Sequence, residues 1–388
     1  MRLGIEASNL RAGGGITHLA ELLRSAEPAD HGFSHVIVWG GQTTLRALPE
    51  RSWLVKSSPH GLDGSQLARA LWQRRGVAAA ARAARCDILL VPGGTYTGAF
   101  RPFVTMSRNM LPFEPRELRR YGWSAAALRL RLLRRMQAGS FRRADGLIFL
   151  TRYARDIITS VVKPLPEMTT IIPHGVDARF MHEPREQLPV ASYSSDHPFR
   201  ILYVSIVNLY KHQWHVAEAV ARLRAQGLPV ALDLVGPAYP PALARLRKTL
   251  RRLDPTAQYL RYLGPAERAG LPAFYARSDL CLFASSCENM PNVLLEGMAS
   301  GLPVACSNRG PMPEVLGSAG VYFDPEDPGE IATTVQTLVQ SPELRATLAR
   351  ESFARAQGYS WERCASETFA FLAQVARRAA TQLQNVQR

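Results

Sequence analysis

Lysine is almost missing from this chain: four residues, at 56, 163, 211 and 248, stand against 43 arginines in 388 residues. Cysteine is scarce as well. The five cysteines (86, 281, 287, 306 and 364) form no CxxC pair, which removes the usual spacing of a structural zinc site, and an odd number suits free thiols in a reducing compartment. No apolar run reaches the roughly 18 residues of a membrane-spanning helix. The opening Met1-Arg-Leu-Gly-Ile-Glu-Ala has neither the apolar core nor the cleavage site of a secretory leader. The expected location is therefore the cytoplasm. Asp-x-Asp occurs nowhere, so a carboxylate pair of the kind that holds a divalent cation on a diphosphate is absent and no metal is expected. Internal repeats and low-complexity tracts are lacking too.

What is present is apolar content and positive charge. A hydrophobic fraction of 46% fills a full core, and at roughly 100–200 residues per domain the length suits two α/β domains or one large one. The net charge of +15 favours polyanionic partners: nucleic acid, an anionic membrane leaflet or a phosphorylated ligand. Part of the arginine excess reads as coding bias, so the choice among these partners falls to particular sites.

Short β-branched runs at 2–7, 35–39, 87–91, 103–106, 146–150 and 169–173 read as strands, with helix-length periodicity between them at 66–85 and 124–143. Alternation of this kind predicts a parallel sheet covered on both faces. A polar, proline-punctuated stretch at 183–198 reads as a linker. A second series of strands follows at 200–205, 230–235, 258–263, 280–284 and 303–307, and 361–384 reads as one amphipathic helix with Phe369, Leu372 and Val375 or Ala376 on one side. The expected domains are thus 1–182, with the terminal helix from 361 packed back on it, and 199–360, the two facing a central cleft.

The strongest local signal is Glu288-Asn-Met-Pro-Asn-Val-Leu-Leu-Glu296, followed by Gly-Met-Ala-Ser-Gly301-Leu-Pro-Val304. Pro291 suits the first turn of a helix and Gly301 its end, which puts Glu288 on the preceding loop and Glu296 inside the helix. A helix N-terminus offers N–H groups and a positive dipole end to a diphosphate. Two flanking carboxylates can accept hydrogen bonds from sugar hydroxyls. A second signal is Arg11-Ala-Gly13-Gly14-Gly15-Ile-Thr-His18 between the first strand and the first helix, where glycines allow close approach to phosphate; a tight turn without ligand is the alternative. The loop lacks G-x-G-x-x-G and the acidic residue about 20 positions on, so it is not a nicotinamide fingerprint.

On these residues the chain resembles glycosyltransferase family 4, the group 1 glycosyltransferases of GT-B fold, over nearly its whole length. The resemblance implies that Glu288 contacts the transferred sugar and Glu296 the ribose, with Asn289, Met290, Pro291, Asn292 and Val293 lining the donor between them. It implies that Lys211 neutralises the donor diphosphate. Where the family has Gly-Arg at the preceding strand end this chain has Ser205-Ile206, so one cation is missing, and Arg309 or another arginine is a candidate substitute. Gly14 and Gly15 are implied at the donor phosphates, and the backbone at Leu263 and Gly264 beside the base. On the acceptor side stand His18, Asn109, where relatives carry a histidine, and His174, which replaces the family's asparagine in Pro-His-Gly-Val-Asp177.

The activity so implied is retaining transfer of a hexose from a UDP-sugar or GDP-sugar, without metal, to a lipid-linked glycan or lipopolysaccharide-type acceptor. Two alternatives stay open: a sugar-nucleotide 2-epimerase of the same fold, and a catalytically silent assembly subunit. The basic stretch 116–143, rich in Arg, Leu and aromatics, reads either as an ordinary solvated helix or as a surface that lies on anionic lipid. No recognition-helix or stacking motif accompanies the charge, so nucleic acid is not expected.

Overall fold

The computed structural model describes residues 1–11 and 13–386. They form two compact units. The first comprises Met1–Phe113, Trp123–Gly175 and the chain from Ser360 onward; the second comprises Glu114–Gly122 and Val176–Tyr359.

The first unit holds a seven-stranded sheet. Its strands are β1 (Arg2–Glu6), β2 (His35–Trp39), β3 (Leu54–Ser57), β4 (Ile88–Val91), β5 (Phe103–Met106), β6 (Gly146–Phe149) and β7 (Thr169–Ile171). They run in the order β3-β2-β1-β4-β5-β6-β7, and every neighbouring pair is parallel. The central strands read as unbroken apolar runs because both faces are covered: β4, Ile-Leu-Leu-Val, is buried at every position. Strand β3 escapes sequence reading. It lies at the sheet edge with Val55 exposed and Lys56 in its middle, so it lacks the buried run that marks its neighbours.

The terminal helix Trp361–Val386 belongs to this unit. Phe369, Leu372, Val375 and Ala376 are all buried, and Phe369 meets Phe33 edge-on with ring centroids 5.9 Å apart. The stretch 66–85 is helical in pieces: Gln66–Leu71, a π-turn at Trp72–Gly76, then Val77–Ala83. The bulge falls where the Trp72 ring lies against the bare Cα of Gly76.

The second unit holds six parallel strands: β8 (Phe199–Val204), β9 (Val230–Val235), β10 (Leu260–Gly264), β11 (Leu280–Phe283), β12 (Val304–Ser307) and β13 (Val321–Phe323). Their order is β10-β9-β8-β11-β12-β13. The chain winds outward from β8 to β10, then returns to the other side of β8 at β11. The switch point therefore lies between β8 and β11, where ligands collect at the carboxyl ends of open α/β sheets. The three-residue edge strand β13 is a further element that sequence periodicity does not reveal.

All five cysteines are free thiols, four of them buried. Among the described residues no helix is long and apolar enough to cross a membrane.

Candidate active site

Two loops leave the switch point of the second unit side by side. One follows β8 and ends in a turn closed by Lys211 N–H donating to the Asn208 carbonyl at 3.1 Å. The other follows β11 and runs through Ser285, Ser286 and Cys287 to Glu288. The loops are tied twice: Ser286 N–H donates to the Tyr210 carbonyl at 2.9 Å, and His212 Nε2 meets Ser286 Oγ at 2.9 Å. His212 sits at φ +52°, and burial drives its imidazole down to about 3, so the ring is neutral at physiological pH.

These ties bring Lys211 Nζ onto Glu288 Oε1. The same carboxylate oxygen accepts from Ser285 Oγ at 2.6 Å. The ammonium also lies 4.8 Å from the Phe283 ring centroid and 5.3 Å from that of Tyr210, and Tyr203 Oη donates to the Lys211 carbonyl at 2.6 Å. The lysine side chain is 7% exposed and that of Glu288 16%. A nearly dry cation and a carboxylate that satisfy each other at a switch point can separate to receive an anionic ligand and its hydroxyls.

Glu296 has a different setting. Pro291 occupies the N-cap rather than the first turn, and the helix runs Asn292–Ala299. Gly301 follows at φ +63°, where an added Cβ would stand 2.5 Å from the His182 carbonyl oxygen, so the helix end requires glycine. On the helix, Glu296 Oε2 accepts from the buried Tyr275 hydroxyl at 3.3 Å. Burial lifts its carboxyl to about 7, against the pull of the Arg268 guanidinium. The two glutamates eight positions apart thus hold different partners: Glu288 the ammonium, Glu296 a phenol and the field of a guanidinium.

Ser205 stands at the end of β8 and Leu263 and Gly264 at the end of β10, with the end of β9 between them. Ser205 N–H donates to the Val235 carbonyl at 2.8 Å and Gly236 N–H to the Gly264 carbonyl at 2.8 Å. Gly236 links the two, and a Cβ there would fall 2.1 Å from the Ser205 carbonyl oxygen. Leu263 and Ile206 are both exposed, and Ile206 brings no charge to the place of the family arginine. Arg309 is engaged elsewhere: its guanidinium pairs with Asp324 at 2.5 Å.

Several residues of this neighbourhood were invisible to sequence reasoning. Segment Glu114–Gly122 comes from the first half of the chain yet belongs to the second unit. Its Tyr121 Oη donates to Asn208 Oδ1 at 2.8 Å, bracing the Lys211 turn. Arg120 bridges Glu117 at 2.7 Å and Glu326 at 2.9 Å, and Arg116 reaches Glu326 at 2.5 Å. Only the charge alternation of Arg-Glu-Leu-Arg-Arg hinted at partners, and nothing local names them. His212 and Ser286 carried a weaker signal, their adjacency to Lys211 and Glu288.

In the first unit, Gly14 and Gly15 open the helix Gly14–Arg24 behind Gly13 at φ +68°. Arg108 holds this loop, donating to the Gly14 carbonyl at 2.7 Å, and Asn109 Oδ1 accepts from Leu111 N–H at 3.1 Å. His18 and His174 are buried and stack on each other with centroids 4.4 Å apart, next to Trp361. Burial, with His174 and Arg108 nearby, pushes the His18 imidazole well below its ordinary range. Neither ring is offered to solvent in this arrangement.

Fold and site together define a class: tandem doubly wound α/β units with a cation–carboxylate pair at a switch point, the GT-B architecture. Residues 12–180 match the profile of Glycosyltransferase Family 4, and residues 198–341 that of Glycosyl transferases group 1. The chain belongs to this family of glycosyltransferases. O-antigen chain mannosyltransferase B of Escherichia coli is 34% identical over 110 residues, 28% of this chain and 29% of that protein. A glycogen synthase of Mycobacterium tuberculosis is 27% identical over 260 residues, 64% of this chain and 59% of that protein. The chain thus spans less than two thirds of the length of these curated relatives. Among solved structures, Anabaena HepE in complex with UDP-glucose superposes at a TM-score of 0.69 with 19% identity, over 98% of this chain and 100% of that one. Sucrose-phosphate synthase from Thermosynechococcus elongatus superposes at 0.70 with 18% identity, over 98% and 100%.

Proposed function

We propose that the chain transfers a hexose from a nucleoside diphosphate sugar, UDP- or GDP-linked, to a hydroxyl of a lipid-linked glycan or lipopolysaccharide-type acceptor on the cytoplasmic side of a membrane. The observation that carries this reading is the ion pair of Lys211 with Glu288 at the switch point. On donor arrival Lys211 exchanges the carboxylate for the diphosphate, and Glu288 turns to the hydroxyls of the transferred sugar. Glu296 accepts from the ribose. The bond between the anomeric carbon and the diphosphate oxygen breaks with its electron pair on the diphosphate, and Lys211 neutralises the growing charge. The acceptor oxygen bonds the same face of the sugar, and its proton passes to the departing phosphate oxygen. Stereochemistry is retained without an enzyme nucleophile.

The likeness to HepE solved with UDP-glucose supports a nucleotide-sugar donor, and the likeness to an O-antigen mannosyltransferase supports a surface-glycan acceptor. The absence of Asp-x-Asp supports a metal-free diphosphate site.

A thermal-shift screen with UDP, GDP, ADP, CMP and TDP tests the donor site, because a ligand bound only to the folded state stabilises it by mass action. A shift with UDP or GDP is expected; no shift with any nucleotide would sink the reading. A second reading, a silent subunit, is favoured by one observation: Ile206 replaces a cation and Arg309 is held by Asp324. Slow release of nucleoside diphosphate from UDP-glucose or GDP-mannose without acceptor would eliminate it.

A further inference from the structure

In the first unit the connections β3→β4, β5→β6 and β6→β7 all move the same way across the sheet, while β1→β2 and β2→β3 move the opposite way. Right-handed crossovers therefore place helices 66–83, 125–143 and 152–161 on one face and helix 14–24 on the other. The terminal helix packs against helix 14–24, so that second face is covered.

The helices of the first face carry apolar side chains on their outer side. Eight large apolar side chains are exposed among the described residues of this unit, and all but Val55 belong to helices of this face or directly precede one. Leu128, Leu132 and Met136 form an i, i+4, i+8 stripe on helix 125–143, and the only buried residue in its first three turns is Ala127. In this half of the helix Leu128 and Leu132 turn outward, Leu130 and Leu133 are half-buried and the small Ala127 is the residue that is buried, an unusual outward share of leucine for a core helix. Trp123, at its entry, is 97% exposed, and Leu67, on helix 66–71, 82%.

Charge selects the occupant. Between residues 64 and 86, and again between 123 and 144, there is no Asp or Glu, whereas exposed arginines flank both apolar patches: Arg74 and Arg75 on one, Arg129, Arg131 and Arg135 on the other. The Arg131 guanidinium lies 5.4 Å from the Trp123 ring centroid. Arg116 and Arg120, part of the same basic stretch in sequence, are instead consumed by acids of the second unit. Aromatic and leucine side chains that project outward between cations, with no anion on either of these two helices, fit the boundary between acyl chains and phosphate headgroups; on the third helix of the face the exposed Asp156 is paired with Arg155 at 2.9 Å.

We infer that this helix face docks the protein on an anionic lipid bilayer, with Trp123, Leu128 and Leu132 entering the acyl boundary and the arginines on lipid phosphates. The inference specifies the membrane side of the acceptor reading and does not rest on the transfer chemistry.

The test is sedimentation of the full chain with vesicles of phosphatidylcholine alone or containing about 30% phosphatidylglycerol, at about 0.1 M salt. Parent protein should partition onto the anionic vesicles at least tenfold more than onto the neutral ones. Trp123→Ser/Leu128→Ser/Leu132→Ser and, separately, Arg129→Gln/Arg131→Gln/Arg135→Gln should each lose at least tenfold of that binding. Brominated lipid should quench the parent more than Trp123→Phe. Thermal midpoints and any nucleotide-induced shift should match the parent, which separates failure here from failure of the donor site; should a triple variant not fold, single Leu128→Ser and Arg131→Gln variants read the same effect. Equal binding to both vesicle types, or undiminished binding by the folded variants, would overturn the inference. So would a self-association that the serine variant abolishes, or retention of a nucleic-acid duplex by protein that ignores the vesicles.

Discussion

Lys211 and Glu288, 77 positions apart, meet as a nearly buried ion pair with Ser285 as a third partner. Such a pair stabilises little against a well-packed apolar substitute, yet breaking it on one side leaves a dry, uncompensated charge. Its place at the switch point gives that cost a use, since a ligand that brings its own phosphate and hydroxyls can replace each partner.

The first prediction separates stability from activity at this pair. Lys211→Met and Glu288→Gln should each destabilise the fold by about 2–4 kcal/mol, and the double variant by less than the sum. Turnover should fall by about 100-fold or more in all three, because a lost cation at a leaving group is not restored by repacking. Urea unfolding together with a nucleoside diphosphate release assay reads both. Recovery of turnover in the double variant would contradict the role given to Lys211.

Glu296 predicts a pH signature. Its folded value, about 7, lies above the ordinary 4.5, so the folded protein holds this proton more tightly than the unfolded chain. That contribution is fully present below about pH 4.5 and is lost as pH rises to 7, a change of up to roughly 3 kcal/mol. Glu296→Gln should remove this slope from a series of urea melts between pH 4.5 and 8. In the parent, nucleotide binding near pH 7 should release a proton, visible as a buffer-dependent heat in calorimetry. A variant with the parent's pH slope would show that another group titrates.

His212 is expected to act by positioning. His212→Ala loses the tie to Ser286 and keeps a strained φ of +52°, whereas His212→Gly loses the tie and relieves the strain. The glycine variant should be the more stable by about 1 kcal/mol. Both should weaken nucleotide binding by about three- to tenfold, because the tie is worth about 1 kcal/mol. Nucleotide titration by calorimetry, alongside melts, checks the split; unchanged affinity in both would make His212 purely structural.

His18 predicts acid lability of the first unit. Its folded value lies well below 6.5, so the unfolded chain takes up a proton as pH falls through 6.5 while the buried ring does not. Stability is present above 6.5 and declines below it by about 1.4 kcal/mol per pH unit. His18→Phe, which can keep a ring against His174, should flatten melting curves compared between pH 5 and 7.5. Hydrogen exchange in helix Gly14–Arg24 should report the same change locally.

Much of the architecture was legible in the chain. Strands β2, β5 and β9 fall where β-branched runs stand, because parallel strands buried on both faces need continuous apolar sequence. The missed strands, β3 and β13, are short edges that bury less. The candidate site was legible as motifs, since Pro291 and Gly301 bracket a helix by backbone rules that act locally. The braces were not: Tyr121 on Asn208, and His212 on Ser286, join residues 87 and 74 positions apart, and no local pattern announces them.

By itself, then, the sequence determined two parallel α/β series, a terminal helix and the residue types that a diphosphate sugar would need, because periodicity and turn chemistry are properties of neighbours along the chain. Only the tertiary structure decided which charges are spent. It set Lys211 against Glu288, gave Arg309 to Asp324, carried Arg116 and Arg120 to Glu326, and left Leu128 and Leu132 of helix 125–143 bare. It also parted the two glutamates, one salt-bridged and the other held near neutrality by burial. Electrostatic energy depends on distance and exposure in space, and neither is written in the order of residues.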